Sequence, residues 1–408
     1  MKVLILTADS NGGYPVPASK GSAVSTLMEQ LAEGNNAQRL CDMEIMSFYD
    51  EKAFEMAKQY PHITFLWVKP TALHRLLDKC AFNFIRLLKK NEKAVSFKSP
   101  FSLLYYIRKA GKRLRMTDAD KVILENNIPL ARALRKTPFR GQWFYHFHNV
   151  PRIDGGCRDV FERTTGFLCV SQFVADRLSA PDSAIGAIPA DKTTVFYNCV
   201  DTEQFQPMPR DCGELAALRK KLGVADGDRV MIFTGRLTAE KGAEHLLRAL
   251  QLLPENYKAV IVGSYHYNAD VKSDYQQQLY ALAESLKDRV IFTGYVQHDE
   301  LPLYYNLADV AVLPSMWDEP AGLTNLEAMA CGVPVVTTNS GGIPEYVGDS
   351  VVLERSERLG EEIAERVQAL LADSEGYERA CRYSRQFVCD RFDKDRYINR
   401  FIEALGVF

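Results

Sequence analysis

The sequence predicts an α/β protein made of two doubly wound, Rossmann-like parallel-sheet domains. Three observations carry this. Short apolar runs recur at 230–234, 259–263, 290–294, 310–314 and 333–338, with helical patterns at 243–253 and 275–286 between them. A second set of runs, at 3–8, 43–48, 122–125, 143–148 and 167–171, repeats the theme with helical patterns at 22–33 and 172–178. A chain of 408 residues is also too long for one ordinary core.

Strands that alternate with helices form parallel sheets covered on both faces. A boundary fits near 201–212, where Phe205-Gln206-Pro207-Met208-Pro209 interrupts regular structure. It divides a first domain, 1–205, from a second, 206–389. In such sheets ligands bind at the C-terminal strand ends. Two of them facing each other make a deep cleft, which is where a site is expected.

Composition narrows the class. The chain is 47% hydrophobic and 25% charged, with a formal net charge of −2, so it does not look like a nucleic-acid binder. Its nine cysteines are scattered and form no Cys-x-x-Cys pair. They read as reduced thiols of a cytoplasmic protein rather than as a disulfide scaffold or zinc site. Met1-Lys2-Val3-Leu4 runs straight into a strand without the pattern of a signal peptide. No run of about twenty apolar residues predicts a membrane-spanning helix.

The most informative stretch is Glu319-Pro320-Ala321-Gly322-Leu323-Thr324-Asn325-Leu326-Glu327. A helix is predicted from about Gly322 to Ala330, stopped by Cys331-Gly332-Val333-Pro334. Glu319 precedes the positive end of that helix, and Glu327 lies on it at the border of an apolar arc formed by Leu323, Leu326, Met329 and Ala330. A half-buried carboxylate there needs a partner. An isolated Glu would pair with a nearby cation. Two at this spacing, with Gly and Pro between them, suit a ligand that carries phosphates, a sugar and a ribose.

Gly235-Arg236-Leu237-Thr238-Ala239-Glu240-Lys241-Gly242 follows a strand and opens a helix. Two cations beside glycines in such a loop suit a diphosphate; alone, Glu240–Lys241 would be a solvated helix start. The loop 9–21 contains Gly12, Gly13 and Lys20-Gly21-Ser22, whose amides can approach an anion or sugar. It is neither Gly-x-Gly-x-x-Gly nor Gly-Lys-Ser/Thr, which disfavours a nicotinamide cofactor and a phosphate-binding loop.

His148-Asn149 closes the strand 143–148, and His146, two residues earlier, shares its face. Glu125-Asn126-Asn127 ends another strand of the first domain. Glu125, Asn127 and Asn149 are candidates to contact an acceptor. Asp118-Ala119-Asp120 matches a metal-holding Asp-x-Asp, but it precedes its strand instead of following it. It is taken as a solvated strand start, and no metal site is expected.

Together these motifs resemble the retaining glycosyltransferases of family four, which have the GT-B fold. The resemblance spans nearly the whole chain and is strongest over 195–347. Asn198-Cys199-Val200-Asp201-Thr202-Glu203-Gln204-Phe205 is similar to the family's Asn-Gly-Val-Asp-x-x-x-Phe, with Cys199 in place of Gly. Phe292-Thr293-Gly294-Tyr295-Val296, 314–335 and Asn339-Ser340-Gly341-Gly342-Ile343-Pro344-Glu345 also match, with Ala321 where Phe is common.

The resemblance implies a nucleotide-sugar donor, most often a UDP-sugar, and neither cofactor nor metal. Arg236 and Lys241 would bind the diphosphate and Glu319 the sugar hydroxyls. The amides of Gly322, Leu323 and Thr324 would meet phosphate, and Glu327 the ribose. Gly294, Tyr295 and Val296 would contact the base, and Gly21 and Gly235 would underlie the diphosphate. His148 would stand near the reacting sugar. The segment 390–408 would pack back on the first domain, and domain closure would assemble the site. A nucleotide-sugar 2-epimerase and a non-catalytic scaffold share the fold; the donor motifs favour transfer.

The segment 69–115 holds thirteen basic residues and two acids, Asp78 and Glu92, interleaved with Leu and aromatic side chains. Basic and apolar residues at near-helical spacing suit an anionic membrane surface that presents a glycan or lipid-linked acceptor.

Overall fold

The computed structural model describes residues 1–9, 14–20, 22–88, 98–135, 137–264 and 274–406. The chain divides into two compact units: Met1–Tyr197 with Lys394–Phe408, and Asn198–Asp393. Each is described by itself.

The sheet of the first unit has seven strands: β1 (Lys2–Thr7), β2 (Asp42–Phe48), β3 (Ile63–Val68), β4 (Lys121–Glu125), β5 (Gln142–Phe147), β6 (Gly166–Cys169) and β7 (Thr193–Val195). They lie in the order β3-β2-β1-β4-β5-β6-β7 and pair in parallel throughout. Val3 to Leu6 and Val122 to Leu124 are fully buried, as central strands covered on both faces must be. The Ala23–Gln38 helix starts at Ser22, whose side chain accepts a hydrogen bond from the Ser25 amide. The Tyr397–Gly406 helix lies against it: Asn399 Nδ2 donates to Gln38 Oε1 at 3.0 Å, and a Cβ at Gly34 would sit 2.9 Å from the Ile398 side chain. Tyr397 also stacks on Phe196 with ring centroids 4.6 Å apart.

The second unit carries β8 (Arg229–Thr234), β9 (Tyr257–Val262), β10 (Val290–Gly294), β11 (Val310–Leu313), β12 (Val335–Thr338) and β13 (Val351–Leu353). Their order is β10-β9-β8-β11-β12-β13, again all parallel. Its first and last residues meet, because Val200 bridges Asp393 and the Val200 amide donates to the Phe392 carbonyl at 2.9 Å.

Three strands, β3, β7 and β13, were not singled out by the apolar runs. All three are edge strands, and two have only three residues. Three residues are too few to carry a periodic signal, whereas Ile63–Val68 is an apolar run whose signal was present in the sequence. The strand predicted to include His148 stops at Phe147.

The Ala72–Leu88 and Pro100–Leu114 helices account for much of the basic segment. Asp78 is buried between them and accepts the Phe101 amide at 2.7 Å, capping the second helix. Leu73, Leu76, Leu77 and Phe84 stay exposed, at spacings that place them along one side of the first helix, with exposed Lys79 one turn after Leu76. Lys89, Lys90, Glu92 and Lys93 lie outside the described residues. No helix among the described residues is long and apolar enough to cross a membrane.

Candidate active site

In the second unit, sheet order does the first work of assembly. β8 and β11 are neighbours, so the loops that leave their C-terminal ends emerge side by side. One loop carries Arg236 and Lys241, the other Glu319. The Met316 amide donates to the Glu240 carbonyl at 2.8 Å and stitches the loops together. Gly242 is needed at the crossing: its φ is +69°, and a Cβ there would sit 2.1 Å from the Pro314 carbonyl oxygen.

The result is an ion pair. Lys241 Nζ lies 2.8 Å from Glu319 Oε1, with the side chains 20% and 13% exposed. The Glu319 backbone is gripped from the other side. It bridges Gly341, and its carbonyl accepts the Gly342 amide at 2.7 Å. At Gly341, φ is +62° and a Cβ would lie 2.3 Å from that same carbonyl oxygen. Arg236 remains half exposed, with Glu240 4.0 Å away. A row of glycines floors the region. The Gly235 amide donates to Val262 O at 3.0 Å, and the Gly263 amide donates to Gly294 O at 2.9 Å. Tyr295 and Val296 follow Gly294 and are partly exposed.

The predicted helix is present as Leu323–Ala330, with Gly322 at its N-cap. No side chain caps it, which leaves the first-turn amides of Leu323 and Thr324 to another partner. Glu327 is buried, and both its oxygens are engaged. Oε1 lies 3.0 Å from His298 Nε2, and Oε2 accepts from the Tyr305 hydroxyl at 2.9 Å. Tyr305 also shares a 2.7 Å hydrogen bond with Thr234 at the end of β8. Burial pulls the His298 pKa down, but the Glu327 carboxylate outweighs it and the value is raised.

His298 and Tyr305 are the partners that the half-buried Glu327 demanded, although sequence reasoning named neither. Tyr305 sits in a short helix, Leu301–Leu307, with no motif around it. His298 lies two residues past the Gly294-Tyr295-Val296 segment, which was the available signal.

A larger cavity in this unit, about 760 Å³, lies at the opposite strand ends and is lined by Arg210, Asp228, Arg229 and Asp309 among others. Its position at the N-terminal ends argues against it as the main site, and Arg210 already pairs with Asp309 at 3.1 Å.

In the first unit, parallel pairing sets Glu125 of β4 opposite His146 of β5. Glu125 Oε2 lies 3.0 Å from His146 Nδ1 and 3.0 Å from His148 Nε2. All three side chains are buried. Burial favours the neutral acid, but the two imidazoles outweigh it and hold the Glu125 pKa at about 2. Burial, then His146, bring His148 down to about 4, against the pull of Glu125.

These three are also the group among the described residues whose ligand atoms, all within 4.8 Å of one another, could hold a metal ion. Glu125, Asn126 and Asn127 border a cavity of about 260 Å³ at the ends of β1 and β4, with Thr7 and Ser22. Asn149 is exposed. Asp118 and Asp120 sit at the amino end of β4, where Asp118 pairs with Lys2 at 2.6 Å and Asp120 accepts the Lys2 amide at 2.7 Å. Gly12, Gly13 and Gly21 lie outside the described residues.

Residues 216–387 match the family model described as glycosyl transferases group 1. The chain is 29% identical over 258 residues to spore coat protein SA of Bacillus subtilis, covering 60% of this chain and 68% of that one. It is 27% identical over 298 residues to the lipopolysaccharide 1,2-N-acetylglucosaminetransferase of Salmonella typhimurium, covering 71% and 73%. The crystal structure of Anabaena HepE in complex with UDP-glucose superposes with a TM-score of 0.69 at 21% identity, covering all of both chains. At that identity the likeness shows the fold, which is GT-B.

Proposed function

We propose, from the match of residues 216–387 to the glycosyl transferases group 1 model and from the site geometry, that this chain is a retaining, metal-independent hexosyl- or N-acetylhexosaminyltransferase. Its donor is a nucleotide sugar, a UDP-sugar by preference, and its acceptor a glycan or lipid-linked sugar of surface polysaccharide or glycolipid synthesis. The observation that carries the reading is the Lys241–Glu319 pair, set at adjacent strand ends beside Arg236 and an uncapped helix N-terminus.

That arrangement offers one end of a donor cations and amides and the other end a carboxylate. In transfer, the bond from the anomeric carbon to the diphosphate breaks, and charge builds on the leaving oxygen. Lys241, Arg236 and the amides of Leu323 and Thr324 neutralise it from fixed positions. Glu319 orders the sugar hydroxyls, and Glu327 takes the ribose hydroxyls, with His298 as its exchangeable partner. Front-side attack by an acceptor hydroxyl, whose proton passes to the departing diphosphate oxygen, forms the new bond on the face being vacated and retains the anomeric configuration. UDP-glucose bound to the structural neighbour HepE and the sugar transferred by the Salmonella relative support the donor class.

A thermal melt tests the donor. UDP at about 100 times its Kd stabilises by about 2.7 kcal/mol, which for a unit of this size raises Tm by about 5–10 °C. GDP and ADP should give smaller shifts. No response to any of the three would end the donor assignment.

The acceptor reading extends to the surface. The exposed stripe of Leu73, Leu76, Leu77 and Phe84, bordered by Lys79, fits peripheral attachment to an anionic inner membrane face, each cation near the surface adding about 1 kcal/mol. Vesicles rich in phosphatidylglycerol should pull the protein down at low salt, and the triple change Leu73→Ser, Leu76→Ser, Phe84→Ser should leave it in the supernatant. Wild-type protein that stays in solution at low salt would refute attachment.

A further inference from the structure

We infer that Glu125 is a positioning residue that holds His148 as a neutral imidazole, with its proton on Nε2 and its Nδ1 left as an acceptor. The inference starts from the sheet. Parallel register brings Glu125 beside β5, and the period of two puts His146 and His148 on one side of it. The same carboxylate oxygen then meets both rings at 3.0 Å, and the ring centroids are 4.0 Å apart.

His148 is fixed twice over, because its backbone amide also donates to Asn126 Oδ1 at 3.0 Å. Two consecutive residues of one strand end, Glu125 and Asn126, thus grip its side chain and its main chain. Both lie on the border of the 260 Å³ cavity.

The tautomer follows from valence. An ionised carboxylate only accepts, so the nitrogen that faces it carries the hydrogen. A neutral imidazole has one such hydrogen, so the other nitrogen, Nδ1, is left as an acceptor. A doubly protonated His148 is disfavoured because it is buried against a second imidazole, in keeping with its lowered pKa.

Glu125 itself is 2% exposed and its Oε1 has no hydrogen-bond partner among the described residues. Its negative charge therefore acts through His148 rather than as a direct acceptor for a bulky sugar. The alternative occupant of this cluster is a divalent cation, since two His and one Glu are a competent ligand set. Among the described residues His146 Nδ1, His146 Nε2 and Glu125 Oε1 are all buried without a hydrogen-bond partner, so neither nitrogen of His146 is anchored as the second nitrogen of a metal-bound histidine is.

The consequence for turnover rests on the transferase reading; the tautomer does not. Long-range nitrogen–proton correlation spectra of protein labelled with 15N-histidine, taken without substrate, should show His148 in the Nε2–H form. In E125Q the amide can donate as well as accept, so the spectrum should show a mixture or the Nδ1–H form. Its kcat should fall by about 10²-fold with the donor KM held within about twofold. E125D should keep the Nε2–H signature and recover part of the rate.

An Nδ1–H or doubly protonated His148 in the wild type overturns the inference even if E125Q fails to fold. So does E125Q with unchanged tautomer and kcat, or a stoichiometric metal ion found on the purified protein that E125Q lacks. A wild type with the predicted tautomer but no transfer from any nucleotide sugar would instead refute the proposed function and leave the geometry standing.

Discussion

Replacing Glu319 by Ala is expected to lower kcat by about 10³-fold, far more than the same change at Glu327. The two carboxylates differ in what surrounds them. Glu319 is held at its backbone by Gly341 and Gly342 and faces Lys241 alone among the described partners of its side chain. It sits where a sugar would be ordered for attack. Glu327 is locked on the helix by Tyr305 and His298, and on the proposed reading it serves the ribose end. Its loss should mainly raise the donor KM, by about tenfold, because it removes binding that ground state and transition state share. Steady-state kinetics on the two variants separate these outcomes. Small and equal losses at both positions would dissolve the division of roles.

Lys241→Met should lower kcat/KM for the donor by about 10²–10³-fold while costing the fold about 1 kcal/mol or less. The Lys241–Glu319 pair is partly open to water, so its Coulomb energy is modest in the folded protein without donor. The value of the lysine lies in the charge it places where the diphosphate leaves. Methionine keeps the stem and removes only the charge. Lys241→Arg should recover part of the loss, since the positive charge returns with a different, forked geometry. A Lys241→Met enzyme with full turnover and a lowered Tm would make the pair structural and move the diphosphate site elsewhere.

Much of this was readable in the chain itself. Val230, Ile232, Val310 and Val312 are apolar in short continuous runs because their strands are covered on both faces, and such runs announce a parallel sheet. Glu319 and Lys241 stood out because glycines and prolines surround them at fixed spacing. What stayed hidden was set by neighbours distant in sequence. Tyr305 reaches Glu327 across 22 positions and Thr234 across 71, through packing that no local pattern encodes. The grip of Glu125 on His148 depends on strand register, which neither residue's local sequence encodes. Edge strands such as β7 escaped because three half-covered residues carry almost no periodic signal.

The meeting of Val200 with Asp393 has a consequence for how such proteins diversify. The second unit enters and leaves through one doorway, so it is an insertion in the chain of the first, not a tail attached to it. Recombination at that doorway replaces everything from 198 to 393 while the flanking polypeptide keeps its connectivity. A lineage could thus trade one second unit for another in a single crossover pair, and an engineer can attempt the same graft with two junctions that already lie side by side.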